Sequence, residues 1–219
     1  MSGSPRSELD EVLADYPSGP DAPLAAIATA AEAAQTAERL ILVEGISDQI
    51  AVTALAERQG RDLVAEGIVV FPIGGAQAVG RYLVALTAER PGRPIGGLFD
   101  AAEEPFVIRA VADAGLASPA DRVELGRLGF FTCVEDLEDE LIDACGYQLV
   151  EEIIEQQGEL RSLRTMQKQA AWRDRSLRSQ LRRFVSVRSG RKHRYARLLT
   201  MAVDDNRVPA PLRAVLQTA

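Results

Sequence analysis

The stretch Leu40-Ile41-Leu42-Val43-Glu44-Gly45 decides the fold. Four apolar residues run without a break and stop at a carboxylate and a glycine, which predicts a short strand buried on both faces. Gln49–Gln59 follows with apolar residues at 50, 51, 52, 54, 55 and 56, the pattern of a helix packed on a sheet. The same unit returns downstream. Gly67–Ile73 reads as a second strand, with a helix over 76–89; Pro94–Phe99 reads as a third, stopped by Asp100, with a helix over Glu104–Ala114. Gly129–Val134 reads as a fourth and leads into an acidic helix starting near Asp136. Strand and helix alternate four times, so the expected class is α/β, a roughly four-stranded, mainly parallel sheet between helices. Residues 1–22 are polar and Pro-rich and read as a partly ordered lead-in; 23–38 is Ala-rich and helical by propensity. After residue 147 the pattern is helical only. The expected division is a lead-in and helix over 1–35, a core over 36–146, and a helical extension over 147–219.

Composition narrows the chemistry. Of the 219 residues, 47% are hydrophobic and 26% charged, which excludes a disordered chain. No apolar run approaches 18 residues, so no transmembrane helix is expected, and Met1–Leu13 lacks the pattern of a secretory signal; a cytoplasmic location is the expectation. Cys133 and Cys145 are too few for a disulfide framework or a zinc site, and His193 is the single histidine. A His-rich metal centre or a His-pair acid–base mechanism is therefore excluded. The net charge of −7 hides an asymmetry: residues 1–160 hold 10 Lys/Arg against 29 Asp/Glu, and residues 161–219 hold 15 against 3. The chain is an acidic body with a basic tail region.

Three of the four predicted strands end in carboxylates: Glu44, Asp100 and Glu135/Asp136. In parallel sheets functional groups gather at the carboxyl ends of the strands. Asp48, four residues after Glu44, is expected on the first turn of the next helix, pointing back at the strand tip. Asp136 and Glu138 flank Leu137 and would face one way on extended backbone. Acids packed this closely repel unless a divalent cation neutralises them or they take up protons, and an oxygen-only site favours Mg²⁺ or Mn²⁺. Taken singly, each acid also reads as a helix cap, and Thr132 with Glu135 scores as a capping box. Convergence on one sheet edge favours the site.

At these residues the sequence resembles the Toprim domain. Leu42-Val43-Glu44-Gly45-Ile46-Ser47-Asp48 is similar to its first motif, and Gly97-Leu98-Phe99-Asp100 to the strand that normally ends in Asp-x-Asp. Val134-Glu135-Asp136-Leu137-Glu138 resembles the Asp-Leu-Glu motif of the OLD (overcoming lysogenization defect) nucleases. The resemblance implies a Toprim-like Rossmannoid domain whose Glu44, Asp48, Asp100, Asp136 and Glu138 hold one or two Mg²⁺ or Mn²⁺ ions for phosphodiester hydrolysis, with Glu44, Asp48 and Asp100 as catalytic residues. One departure stands out: Ala102 replaces the second acid of Asp-x-Asp, leaving Glu103 or Glu104 as substitutes, or as the start of the next helix. The alternatives kept open are nucleotidyl transfer or small-phosphoester hydrolysis on the same acids, and a non-catalytic nucleic-acid-binding module serving a separate ATPase.

Between Arg161 and Thr200 there are 13 Lys/Arg and one acid, Asp174, with Trp172, Phe184 and Tyr195 in or near the run. This region reads either as a phosphate-binding surface, with Arg182, Arg183, Arg191, Lys192 and Arg194 its candidates, or as cations paired with the acidic body. Gly190–Ala196 resembles the OLD-type segment that brings a lysine near the metals, and Lys192 fits that catalytic position. His193 reads as a surface residue. No Gly-x-x-x-x-Gly-Lys sequence occurs, so no nucleotide site is expected, and Gly74-Gly75…Gly80 reads as a turn into a helix. The expected partners are nucleic acid, DNA before RNA, a separate ATPase chain and a second copy in a homodimer; no membrane is expected.

Overall fold

The computed structural model of the chain describes residues 5–187 and 189–218. In chain order the elements are α1 (Pro5–Ala14), α2 (Ala22–Ala34), β1 (Arg39–Val43), α3 (Ile46–Arg58), β2 (Ile68–Pro72), α4 (Val79–Glu89), β3 (Ile95–Phe99), α5 (Glu104–Asp113), α6 (Arg122–Arg127) and β4 (Phe130–Thr132). Helices then follow one another: α7 (Leu137–Cys145), α8 (Tyr147–Gln156), α9 (Leu160–Gln167), α10 (Leu177–Ser186), α11 (Ser189–Ala202) and α12 (Ala210–Gln217). The ordered part of the polar lead-in includes α1.

The four strands pair in the order β2-β1-β3-β4, and every pair is parallel. The α/β expectation holds. Alternation within β1 splits the core in two. Leu40 and Leu42 point to one face, where they meet Phe71, Phe99 and Phe130 under α2, α4, α5 and α6. Ile41 and Val43 point to the other, where α3 and helices α7 to α12 close over them. Residues of the C-terminal helices, among them Leu181, Phe184, Leu199 and Leu212, are buried in the same cluster as Ile41 and Leu98. The parallel sheet thus has both faces covered, which its uninterrupted apolar strands require.

Topology positions the carboxyl edge of the sheet. The chain leaves β1 for β2 on one side and returns to β3 on the other, so the connections diverge at the carboxyl ends of β1 and β3. A crevice forms at such a switch point. Glu44 and Asp100 are the residues that follow these two strands. Gly74 and Gly75, both at positive φ, donate their N–H groups to the Glu44 carbonyl at 3.1 and 3.0 Å and turn the chain after β2 around it.

Close strand approach constrains the opposite, amino-terminal end of β3. A Cβ on Gly96 would lie 2.6 Å from the carbonyl oxygen of Gly129, where β4 joins the sheet. Backbone cannot yield as a side-chain tip does. Gly96→Ala is therefore expected to destabilise the chain by about 1–3 kcal/mol, the range for overpacking a core. Urea unfolding measures it, and an unchanged midpoint would refute the close-contact account.

Candidate functional site

The acids predicted at the strand ends occupy one neighbourhood, with a different device holding each. Glu44 is half-buried, and its Oε1 accepts the backbone N–H of Asp100 at 2.9 Å, tying the tips of β1 and β3 together. Asp48 lies in the first turn of α3, as expected, and its Oδ2 accepts the Gly45 N–H at 2.9 Å. Asp136 is the N-cap of α7; its Oδ1 accepts the Asp139 N–H at 2.8 Å. Glu138 lies in the first turn of α7, buried, with its Oε1 3.0 Å from Nζ of Lys192 on α11.

The acidic helix expected near Asp136 is present, so Asp136 and Glu138 do not share a face of extended backbone. Helix α7 begins at Leu137, and the cap is Asp136 rather than Thr132. Thr132 instead donates its hydroxyl to Glu104 at 3.4 Å. A short side chain that satisfies the N3 amide of a helix is favoured at that position, and it fixes Asp136 at the cleft.

The electrostatics record how closely these groups crowd. Burial pushes the Asp100 carboxyl up to about 8, and the charges of Glu44, Asp48, Asp136 and Glu138 add to the rise. Asp48 is pushed up to about 7 by burial and by Glu138, against the pull of Lys192. Glu44 is also raised by burial, with the Asp100 amide opposing and Glu103 adding. The charges of the other four sequence candidates therefore all bear on Asp100. Burial lowers the Lys192 ammonium, but Glu138 and Asp48 outweigh it and the net shift is upward, so it stays charged.

Glu103 is a member the sequence left undecided. Its Oε2 is buried and has no hydrogen-bond partner among the described residues, and its charge raises Glu44. Glu104, by contrast, turns away to Arg122, 2.6 Å from its Nε. The short 3₁₀ turn over Ala101–Glu103 ends at Glu103, and α5 begins at Glu104.

The basic helices divide. Arg182 pairs with Asp136 and, at 2.8 Å, with Asp139. Arg178 reaches Glu135 at 2.8 Å and Asp143 at 3.0 Å. Arg191 binds Glu159 at 2.9 Å beneath the ring of Phe184, and Arg194 lies 3.4 Å from Asp10. Of the sequence candidates for phosphate contact, Arg182, Arg191, Lys192 and Arg194 are thus engaged with carboxylates of the chain, and Arg183 lies over the Trp172 ring instead. His193 is half-buried, and burial lowers its pKa. A cleft of about 870 Å³ opens here, lined by Asp100, Glu103, Asp136, Asp139, Arg178 and Arg182.

Among the described residues, no three of these carboxyl groups are spaced to hold a metal ion as they stand. Glu44, Asp48, Asp136 and Glu138 are each drawn toward an amide or a cation of their own. The donor chemistry nevertheless fits a hard divalent cation: the donors are oxygens throughout, burial and acidic neighbours leave the Asp48 and Asp100 carboxyls raised, and Glu103 offers a buried oxygen without a hydrogen-bond partner among the described residues.

Residues 36–100, the span from the approach to β1 through the Asp100 strand tip, match the family model of the overcoming lysogenization defect protein-like TOPRIM domain. Over these residues the chain is similar to the OLD-like TOPRIM domain. Solved structures agree over a wider span. The C-terminal region of the Xanthomonas campestris pv. campestris OLD protein superposes with a TM-score of 0.58 at 26% identity, covering 83% of this chain and 94% of that one. The same region phased with iodine gives 0.59 at 24%, with coverage of 83% and 93%. The C-terminal region of the Burkholderia pseudomallei OLD protein gives 0.56 at 20%, covering 83% and 96%. No curated protein matches. The OLD-type Toprim match ties the chain to a nucleic-acid-related function, and among the described residues no helix is long and apolar enough to cross a membrane.

Two predictions follow from the crowding. Asp48 and Asp100 have folded pKa values raised from 3.8 to about 7 and about 8. The folded chain therefore holds more protons than the unfolded one between those limits. Their contribution to stability is complete below about pH 4 and is lost as pH rises through 7 to 8. The metal-free chain should melt at a lower temperature at high pH than at mildly acid pH. Asp100→Asn should flatten that slope and raise the high-pH melting temperature, by roughly 2–4 °C per kcal/mol of repulsion relieved. A mutant with the wild-type slope would contradict the crowding. Separately, Glu103→Gln should weaken Mn²⁺ binding measured by calorimetry, whereas Glu104→Gln should leave it unchanged; equal effects would remove Glu103 from the site.

Proposed function

We propose that this chain is a metal-dependent phosphodiesterase acting on nucleic acid, an OLD-type Toprim nuclease. The observation that carries the reading is the convergence of Glu44, Asp48, Asp100, Asp136 and Glu138 at the switch point of a parallel sheet, where burial and then mutual repulsion raise the Asp48 and Asp100 carboxyls to about 7 and about 8. A fold gains nothing from such repulsion, whereas a polyanion-cleaving site needs the cation that relieves it. Glu44, Asp48, Asp100, Asp136 and Glu138, with Glu103 in place of the acid missing at Ala102, would hold Mg²⁺ or Mn²⁺. Such an ion supplies Lewis acidity and charge neutralisation at the phosphoryl group.

The chain's own residues do the rest. The Glu44 carboxylate, anchored on the Asp100 amide, keeps the two strand tips in register, so Asp100 cannot drift from the cleft. Lys192 keeps its ammonium beside Glu138 and Asp48, where a fixed positive charge stabilises negative charge that grows on a phosphate in the transition state. Arg182 and Arg178 line the same cleft and offer guanidinium groups to flanking phosphates once a cation takes over the carboxylates they now neutralise. Because chain cations already balance Asp136 and Glu138, a second reading has its own support: a nucleic-acid-binding module without catalysis.

Plasmid nicking separates the two. With Mn²⁺ the chain should nick DNA, and Asp100→Asn should abolish it. Lys192→Ala should lower the rate by a factor of about 10² or more, the scale for one preorganised charge stabiliser, with a smaller effect on DNA affinity. DNA binding without nicking in any divalent metal would favour the binding module, and hydrolysis of small phosphoesters alone would favour the other enzyme class.

A further inference from the structure

Trp172 is the only tryptophan of the chain, and it sits half-buried in the connection between α9 and α10. The Arg183 guanidinium lies over its ring, 5.6 Å from the centroid. The other aromatic residues of the basic segment are committed elsewhere: Phe184 and Tyr195 are 2% and 1% exposed and meet edge to face in the core. Arg183 differs from Arg178, Arg182 and Arg191 in making no ion pair among the described residues.

Two cavities meet at this pair. Trp172 and Arg183 line the cleft of about 870 Å³ that holds Asp100 and Asp136, and they also line a separate cavity of about 320 Å³ between α9 and α10. The smaller cavity has an apolar side in Met166 and Phe184 and a polar side in Gln169 and Arg191. Its size is at the lower end for small-ligand sites. An aromatic ring with a guanidinium over it, shared between a polar-apolar slot and an acidic cleft, has the chemistry of a base-stacking platform.

We propose that Trp172 and Arg183 form a stacking site for an unpaired nucleobase, so that the strand entering the acidic cleft is single-stranded at that nucleotide. The proposal rests on the nucleic-acid reading above and names its substrate class. A paired base already has both faces covered by its neighbours, and presenting one to an indole requires unstacking it. An unpaired base stacks on Trp172 while Arg183, with no carboxylate to satisfy, remains available to the adjoining phosphate. DNA and RNA strands share this chemistry.

A single tryptophan makes the test direct. The full chain carrying Asp100→Asn, with Mg²⁺ present, is titrated with a short oligodeoxyadenylate, the matching oligoriboadenylate and a blunt duplex, while Trp172 fluorescence is followed. Single strands should quench the indole at concentrations where the duplex leaves it unchanged, and the stronger of the two single strands identifies the sugar. In the same background, Trp172→Ala should weaken single-strand binding, read by anisotropy of a labelled strand, roughly 5- to 150-fold. Trp172→Phe should keep most of the affinity, and duplex binding should not change in either variant. Equal quenching by duplex, or wild-type single-strand affinity in Trp172→Ala, overturns the stacking site. If the wild-type chain binds and nicks duplex while Trp172 stays silent, the stacking site fails alone. If no nucleic acid binds at all, the proposed function fails with it.

Discussion

Like charges brought together at the end of a parallel sheet are the constraint on which the rest of this structure depends. The strand order β2-β1-β3-β4 puts the ends of β1 and β3 side by side, and both strands are followed by carboxylates. Helix α3 then adds Asp48 and helix α7 adds Asp136 and Glu138. Burial alone would make one such group unfavourable when ionised; several of them compound the penalty. Everything laid over this edge is arranged to offset it: amides of Gly45 and Asp100, the ammonium of Lys192, and the guanidinium of Arg182.

That arrangement gives the C-terminal helices a role beyond covering one face of the sheet. Helices α10 and α11 bring Leu181, Phe184 and Leu199 into the core with one side and Arg182 and Lys192 to the acids with the other. The charge asymmetry between the two parts of the chain is therefore used within the fold, and the basic segment is less of a free surface than its composition implies. Offsets of this kind are incomplete. Asp48 and Asp100 still have strongly raised pKa values, and Asp139, buried beside Arg178 and Arg182, is itself pushed up to about 6 by burial and by Asp136.

Legibility in the sequence followed the range of the interactions. The four strands were readable because burial on both faces demands uninterrupted apolar runs, and Glu44 and Asp100 were readable because they end such runs. Asp48 followed from helical geometry one turn on. The helix start near Asp136 was legible, but whether Asp136 and Glu138 shared a face was left open, because a strand end and a helix N-cap use the same residues and only the amide of Asp139 distinguishes them. Helices α1 and α6 were missed: the first lies in a polar, Pro-flanked segment, and the second has only six residues and one buried side chain, Leu125. The partners of Arg182, Arg191 and Lys192 lie tens of residues away, and no local pattern encodes contacts at that separation.

The central claim is that the carboxylates at the β1–β3 switch point gather around a divalent cation. Crystals of the protein soaked in Mn²⁺ test it most directly, through anomalous scattering from the metal. The account predicts a manganese peak bounded by Glu44 and Asp100, with Asp136 or Glu138 released from Arg182 or Lys192 to reach it. Manganese bound elsewhere, with the carboxylates still held by those two cations, would contradict it.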